Sequence, residues 1–80
     1  MKIPRDVSGQ HLAEVLCRRW EYTRAGQVGS HMILETAEPA HQRLAIPAHE
    51  ALRIGTFVSI LRTVAKHKGV SRDAVVETLY

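Results

Sequence analysis

The stretch WEYTRAGQVGSHMILETAEPAHQRLAI, residues 20–46, decides the fold. It holds three short segments rich in strand-forming residues, over 20–24, 30–36 and 41–46. The first connection, 25–29, contains two glycines that are free to adopt positive φ, and the second, 37–40, contains Pro39, which cannot donate to a ladder. Pro47 follows the third segment. Because connections this short join antiparallel neighbours, the stretch predicts a three-stranded antiparallel meander.

A helix is predicted before the strands. Ser8 is a good N-cap, and the apolar residues that follow it have helical spacing, which predicts a helix over about 8–19. Gly9 lies in the first turn of this helix and is expected to weaken its start slightly.

Two more helices are predicted after the strands. Gly55 and Thr56 open the first of them, whose apolar residues recur at positions i, i+3, i+4 and i+7, namely Phe57, Ile60, Leu61 and Val64. Gly69 is the expected C-cap, and Ser71 begins a short third helix.

These elements predict one domain over residues 1–80 with an α+β fold. Each element has one apolar side to bury, so a three-stranded antiparallel sheet with helices on one face is the economical arrangement. The order α-β-β-β-α, followed by a short C-terminal helix, is the layout of the double-stranded-RNA-binding-domain fold. A fold of this kind does not by itself specify a function.

The charge balance indicates a polyanionic partner. The chain has 11 Lys and Arg residues against 8 Asp and Glu residues, a formal net charge of +3, and most of the cations are arginine. The planar guanidinium group matches phosphate and stacks on bases, so a nucleic acid is a reasonable partner.

The compartment is expected to be cytoplasmic. Cys17 is the single cysteine, so no intramolecular disulfide is possible. No apolar run is long enough to span a membrane, and the first residues lack the apolar region of a signal peptide, so no membrane partner is expected.

The tripeptide Gly29-Ser30-His31 is the main candidate for chemistry. An imidazole both takes and gives a proton near neutral pH, so His31 is a candidate general acid or base. Gly29 allows close approach of a phosphate, and the Ser30 hydroxyl is a possible donor to it. A plain turn followed by an ordinary strand histidine is the alternative.

Basic residues around the sheet are candidate RNA contacts. Arg24, Arg43 and Arg53 are expected on the sheet or its edges near His31, where they would contact phosphates. His49, in the loop after the third strand, is a further candidate for holding RNA. Solvated side chains are the alternative for all four.

The remaining histidines and aromatic residues suggest no further site. His11, His41 and His67 are expected at the surface, and no histidine pair has zinc-ligand spacing, so neither a metal nor another cofactor is expected. Trp20 and Tyr22 are more typical of core packing than of base stacking.

Three motifs occur in order along the chain: Gly29-Ser30-His31, Pro47-Ala48-His49, and GTFVSILR over 55–62. Together they resemble the pattern of the HicA family of bacterial toxins, and the resemblance covers about residues 8–79. It implies a metal-independent endoribonuclease, an mRNA interferase of a type II toxin–antitoxin system, with His31 as its catalytic residue. It also implies a HicB-like antitoxin that binds the toxin and covers the His31 face.

Two other function classes stay open on the sequence. One is a non-catalytic RNA-binding module of the same fold, because no cation stands directly beside Gly29. The other is a protein-interaction domain whose exposed sheet docks a partner.

Overall fold

Three strands form one antiparallel sheet in the order β1-β2-β3, with one helix before them and two after them. The structure, a computed structural model, describes residues 2–80. Its elements are α1 (Gly9–Arg19), β1 (Thr23–Val28), β2 (His31–Thr36), β3 (Gln42–Pro47), α2 (Ile54–Lys68) and α3 (Arg72–Glu77). The predicted α+β class and the order of its elements are confirmed.

One face of the sheet carries the core. Met32, Leu34, Leu44 and Ile46 are buried on this face, whereas His31 and Ala45 on the other face are exposed. Ile33 also belongs to that other face but is buried, at 7% exposed. The buried face packs against apolar residues of all three helices, including Leu12, Leu16, Phe57, Leu61, Val64, Val75 and Val76. The predicted apolar stripe of α2 is therefore core.

The helix ends follow the predicted caps. The Ser8 hydroxyl accepts a hydrogen bond from the backbone N–H of His11 at 2.9 Å, and Ser71 caps α3 in the same way. Gly69 ends α2 in a left-handed conformation with φ of 70°. Within residues 2–80, no helix has the length and apolar character needed to cross a membrane.

The first strand lies later in the chain than predicted, so the expectation of a strand over 20–24 is wrong. The backbone N–H groups of Trp20 and Tyr22 both donate to the carbonyl of Leu16, at 3.1 and 3.2 Å. Glu21 between them turns the chain with φ of 63°. Because these residues finish α1, the strand begins only at Thr23.

The predicted turn over 25–29 is largely strand, and the true turn is shorter. Gly26, Gln27 and Val28 pair with β2, and only Gly29 and Ser30 connect the two strands. β1 is an edge strand with a register shift between Arg24 and Gly26, which is a β-bulge. A glycine within this edge strand therefore marks a bulge and not a turn.

Gly9 packs directly against the backbone at the end of β3. A Cβ atom on Gly9 would lie 1.8 Å from the carbonyl oxygen of Pro47. The Gly9 N–H donates to the carbonyl of His49 at 2.9 Å, and Leu52 N–H donates to the carbonyl of Val7 at 2.8 Å. The glycine predicted to weaken the helix is thus what lets the helix reach the loop after β3.

Tyr22 and Lys68 join the other end of the sheet to α2. The buried Tyr22 hydroxyl donates to Gln42 Oε1 at 2.5 Å, and Lys68 Nζ lies 4.7 Å from the centroid of its ring. Lys68 Nζ also donates to Thr36 Oγ1 at 2.9 Å and to the Glu38 carbonyl at 2.6 Å. These contacts fix the connection between β2 and β3 against the end of α2.

The two aromatic residues near β1 pack into the protein. Tyr22 belongs to the core, and Trp20 packs against it while its indole N–H donates to Thr78 Oγ1 at 2.9 Å. The core-packing interpretation is confirmed for both residues, since Tyr22 is buried and Trp20 is partly buried against the core.

Gly9→Ala should destabilise the protein by about 2 kcal/mol or more, because the new methyl group cannot fit against Pro47 without moving α1. Gly55→Ala is the matched control, since it also lies at a helix start but has no atom within 4 Å of an added Cβ. That variant should be neutral or slightly more stable. Urea unfolding measures both free energies, and equal stabilities would contradict the close contact.

The free energy of unfolding should fall as the pH rises from about 10 to about 12. Burial raises the pKa of Tyr22 to about 12. Below the pKa of an unfolded tyrosine, about 10, the phenol is protonated in both states and contributes no pH dependence. Above it the unfolded chain releases the proton first, so unfolding is favoured. Urea titrations across this range should show a shallower loss for Tyr22→Phe than for the parent, and equal slopes would contradict the assignment.

Candidate active site

His31 begins β2 directly after a two-residue turn. Gly29 adopts φ of 59°, a left-handed conformation that suits glycine, and Ser30 completes the turn. His31 pairs with Val28 on β1 and with Pro47 on β3. Residues directly opposite each other share a face of the sheet, so His31, Val28 and Pro47 all belong to one face, opposite the face of the buried Met32 and Ile46.

The five histidines divide into partnered and free side chains. His11 and His67 hydrogen-bond through Nε2 to backbone carbonyls, at 2.9 and 2.7 Å. His41 Nε2 lies 3.8 Å from a carboxylate oxygen on β2. Within residues 2–80, the exposed imidazoles of His31 and His49 have neither a hydrogen bond nor an ion pair. These two rings are therefore available to a ligand.

An open groove of about 560 Å³ lies between His31 and α2. The sheet side of the groove consists of His31, Ala45 and Pro47, and the helix side consists of Gly55, Thr56, Ser59 and Ile60. Two hydroxyl groups thus lie across the groove from an imidazole. Hydroxyls both donate and accept hydrogen bonds, so this lining suits a polar ligand.

The start of α2 has no side-chain cap. Arg53 occupies the N-cap position and makes no capping hydrogen bond, and the first turn contains no acidic residue. The first N–H groups of a helix have no partner within it, and the helix dipole favours negative charge there. Since Gly55 and Thr56 belong to this turn, the groove beside them favours an anion.

The second motif lies beside the first. The Ala48 N–H donates to the carbonyl of Ser30 at 2.7 Å, and the His49 carbonyl accepts from Gly9. The loop that carries His49 is thereby held next to the turn that carries His31. The structure brings together four of the predicted site residues, namely Gly29, Ser30, His31 and His49.

Arg24 does not join this group, so its expected position near His31 is wrong. Its register partner is Leu34, which is fully buried on the helix face. Its guanidinium group is directed toward Cys17 on α1 and not toward His31. Burial raises the pKa of the Cys17 thiol, and Arg24 opposes that rise. Because β1 starts at Thr23 and contains a bulge between Arg24 and Gly26, the Arg24 side chain lies on the opposite face of the sheet from His31.

Arg43 shares the face of His31 but lies at the far end of β3, so its predicted proximity is also wrong. It pairs with Glu35 at 3.5 Å. Pro47, the partner of His31, is four positions away, a separation of about 13 Å along a strand. Arg53 is exposed and immediately precedes α2, two positions from Gly55 in the groove. It is the predicted arginine that the fold leaves beside the site.

Two groove residues were missed in the sequence analysis. Thr56 and Ser59 are three positions apart and therefore lie on one side of α2. That spacing beside Gly55 was visible in the sequence. The sequence does not show that β3 lies opposite this side of the helix, because that position depends on the path of the loop after Pro47.

A second cavity of about 550 Å³ lies beneath the N-terminal segment. It is lined by residues 2–7 together with Leu52, Ile54 and Phe57. It contains no histidine and none of the predicted site residues, so it is separate from the chemistry considered for His31. Among the side chains of residues 2–80, no cluster of three or more His, Cys, Asp or Glu is arranged to hold a metal ion.

Comparison of the chain with models of known families, with curated proteins and with solved structures gives no match. The case for a function therefore depends on the geometry of this site and on the three motifs that meet there.

Proposed function

We propose that this protein is a HicA-like toxin, a metal-independent endoribonuclease that cleaves mRNA with His31 as a general acid or base. The observation that carries this proposal is the exposed, unpartnered imidazole of His31 at an open groove. The other two motifs contribute His49 at the same end of the sheet and Thr56 on the opposite wall. The three motifs that resemble the HicA pattern therefore lie around one place.

The chemistry needs proton transfer at two oxygen atoms. A base removes the proton from a ribose 2′-hydroxyl, and the oxygen attacks the adjacent phosphorus while the bond to the 5′ oxygen breaks. An acid supplies the proton that this leaving oxygen takes up. His31 performs one of these two transfers, and help of this kind contributes roughly 10²–10⁴-fold to a rate.

The groove supplies binding groups for the RNA backbone. The hydroxyls of Thr56 and Ser59 and the free N–H groups at the start of α2 are donors suited to phosphate oxygens. Arg53 adds a positive charge beside them. Requiring a 2′-hydroxyl as the nucleophile makes RNA the substrate and excludes DNA.

We also propose that a HicB-like antitoxin covers the His31 face. Val28, opposite His31 on β1, is 66% exposed, and Ile54 at the start of α2 is 58% exposed. Val28 shares the face of His31, and Ile54 immediately precedes the groove residues Gly55 and Thr56. Burial of these two apolar side chains would favour a protein partner at this position. A partner seated on both would close the groove to RNA.

The first test is incubation of the purified protein with a defined single-stranded RNA in EDTA. The parent should cleave the RNA, and His31→Gln should reduce the rate by roughly 10²–10⁴-fold because one proton transfer is lost. His41→Gln is the matched control, since His41 is an exposed histidine with 70% side-chain exposure at the other end of the sheet. It should cleave like the parent.

Equal cleavage by the parent and His31→Gln would contradict the catalytic role. Intact RNA with both proteins, together with retained RNA binding, would favour the alternative of a non-catalytic RNA-binding module.

The antitoxin proposal predicts that a saturating amount of the partner suppresses cleavage. The partner to test is the product of a small adjacent reading frame with a HicB-like pattern, and cleavage is followed as partner is added. Val28→Ser should weaken this inhibition, whereas Val70→Ser should not. Val70 is also exposed, at 36%, but lies beyond the far end of α2. An unchanged cleavage rate in the saturated complex would contradict the proposal.

A further inference from the structure

We propose that His49 is the second proton-transfer group, acting with His31 on one phosphodiester. This inference rests on the proposed ribonuclease function and names the residue that the chemistry still lacks. Two of the five histidines, His31 and His49, have exposed side chains without a hydrogen bond or ion pair within residues 2–80. The other three have partners, namely His11, His41 and His67.

The backbone places His49 on the same face as His31. The Ala48 N–H donates to Ser30 on β2, which extends the ladder one residue past the end of β3. The Pro47 carbonyl oxygen lies in the space that a Cβ of Gly9 would occupy, and the His49 carbonyl accepts from the Gly9 N–H, so both carbonyls are directed toward Gly9. Backbone groups of successive residues that point alternately to β2 and to α1 are typical of an extended strand.

In an extended strand, side chains two positions apart lie on the same face. The side chain of His49 therefore shares a face with that of Pro47, two residues earlier. Pro47 is the register partner of His31, so all three side chains belong to one face of the sheet, on which His31 and Pro47 line the groove.

The separation suits two groups that act on one phosphate. Partners across an antiparallel ladder have Cα atoms about 5 Å apart, and two further residues add about 6.6 Å along the strand. The Cα atoms of His31 and His49 are therefore separated by about 8–9 Å. Two imidazole rings that extend from these positions have room for a phosphodiester between them.

The step balances with these two groups alone. One neutral imidazole takes the proton of the 2′-hydroxyl as the bond from O2′ to phosphorus forms. The bond from phosphorus to O5′ breaks, and the other imidazole, which is protonated, gives its proton to O5′. The products are a 2′,3′-cyclic phosphate and a 5′-hydroxyl, and exchange with water restores both rings.

A mechanism with one neutral and one protonated imidazole predicts a bell-shaped dependence of the cleavage rate on pH. Each histidine is responsible for one side of the bell. Removing either histidine should lower the rate and abolish the rise or the fall of the pH–rate profile for which it is responsible. Removing a residue that only binds RNA should leave both sides of the profile in place.

The experiment is a pH–rate profile for the parent, His31→Gln, His49→Gln and His41→Gln on one defined RNA in EDTA. His49→Gln should lose roughly 10²-fold or more in kcat and one side of the bell. The control His41→Gln should keep the parent's rate and profile. Binding of the same RNA with 2′-deoxyribose at the cleaved position should be unchanged in His49→Gln, and added imidazole should restore part of the rate of His49→Ala.

The outcomes separate the two proposals. Cleavage by the parent, a large loss in His31→Gln and an unchanged profile in His49→Gln would overturn the role of His49 and leave the ribonuclease function standing. Weaker RNA binding by His49→Gln with an intact bell would also overturn that role. No cleavage by the parent at any pH would overturn the proposed function and this inference with it.

Discussion

The arrangement of the site depends on the contact between Gly9 and the backbone of residues 47–49. A helix with any side chain at this position would stand away from the sheet, because Pro47 occupies the space of the missing Cβ. The contact does two things at once. It brings α1 over the core, and it fixes the backbone after β3 where the Ala48 N–H donates to the Ser30 carbonyl. The turn before His31 and the loop that carries His49 are held together at this point.

The two ends of the sheet are held in different ways, and the difference suits a small protein. At the end of the sheet away from His31, side chains make the links. Lys68 hydrogen-bonds to Thr36 and Glu38, and its ammonium group lies over the ring of Tyr22. At the His31 end the links are backbone hydrogen bonds and one glycine contact. Gln27 Nε2 also donates to the Gly29 carbonyl at 3.1 Å. None of these links uses the side chain of His31 or His49, so both imidazoles are free for a ligand.

Local signals in the sequence predicted the elements whose structure is local. The stripe of α2 and the caps at Ser8, Gly69 and Ser71 each depend on neighbours a few residues away, and each is found where it was expected. The start of β1 was misplaced, because the carbonyl of Leu16 on α1 competes for the residues before it.

The candidate site was predictable only in part, for a related reason. His31 was found from a short motif, and its exposure beside a turn agrees with that signal. The positions of Arg24 and Arg43 required knowledge of strand phase and register, which a bulge and a late strand start had altered. The role of Gly9 required a contact with Pro47, which lies far along the chain. No periodic pattern contains such a contact.

The tight turn of Gly29 and Ser30 has a consequence for how this chain can change over time. Side chains in a strand alternate between faces, so a one-residue shift in pairing exchanges the two faces of β2. An insertion or deletion in this turn that moved the register would direct His31 toward the core and expose Met32, which is now buried. The length of the connection is therefore restricted, and related chains should tolerate substitutions here more readily than changes in length.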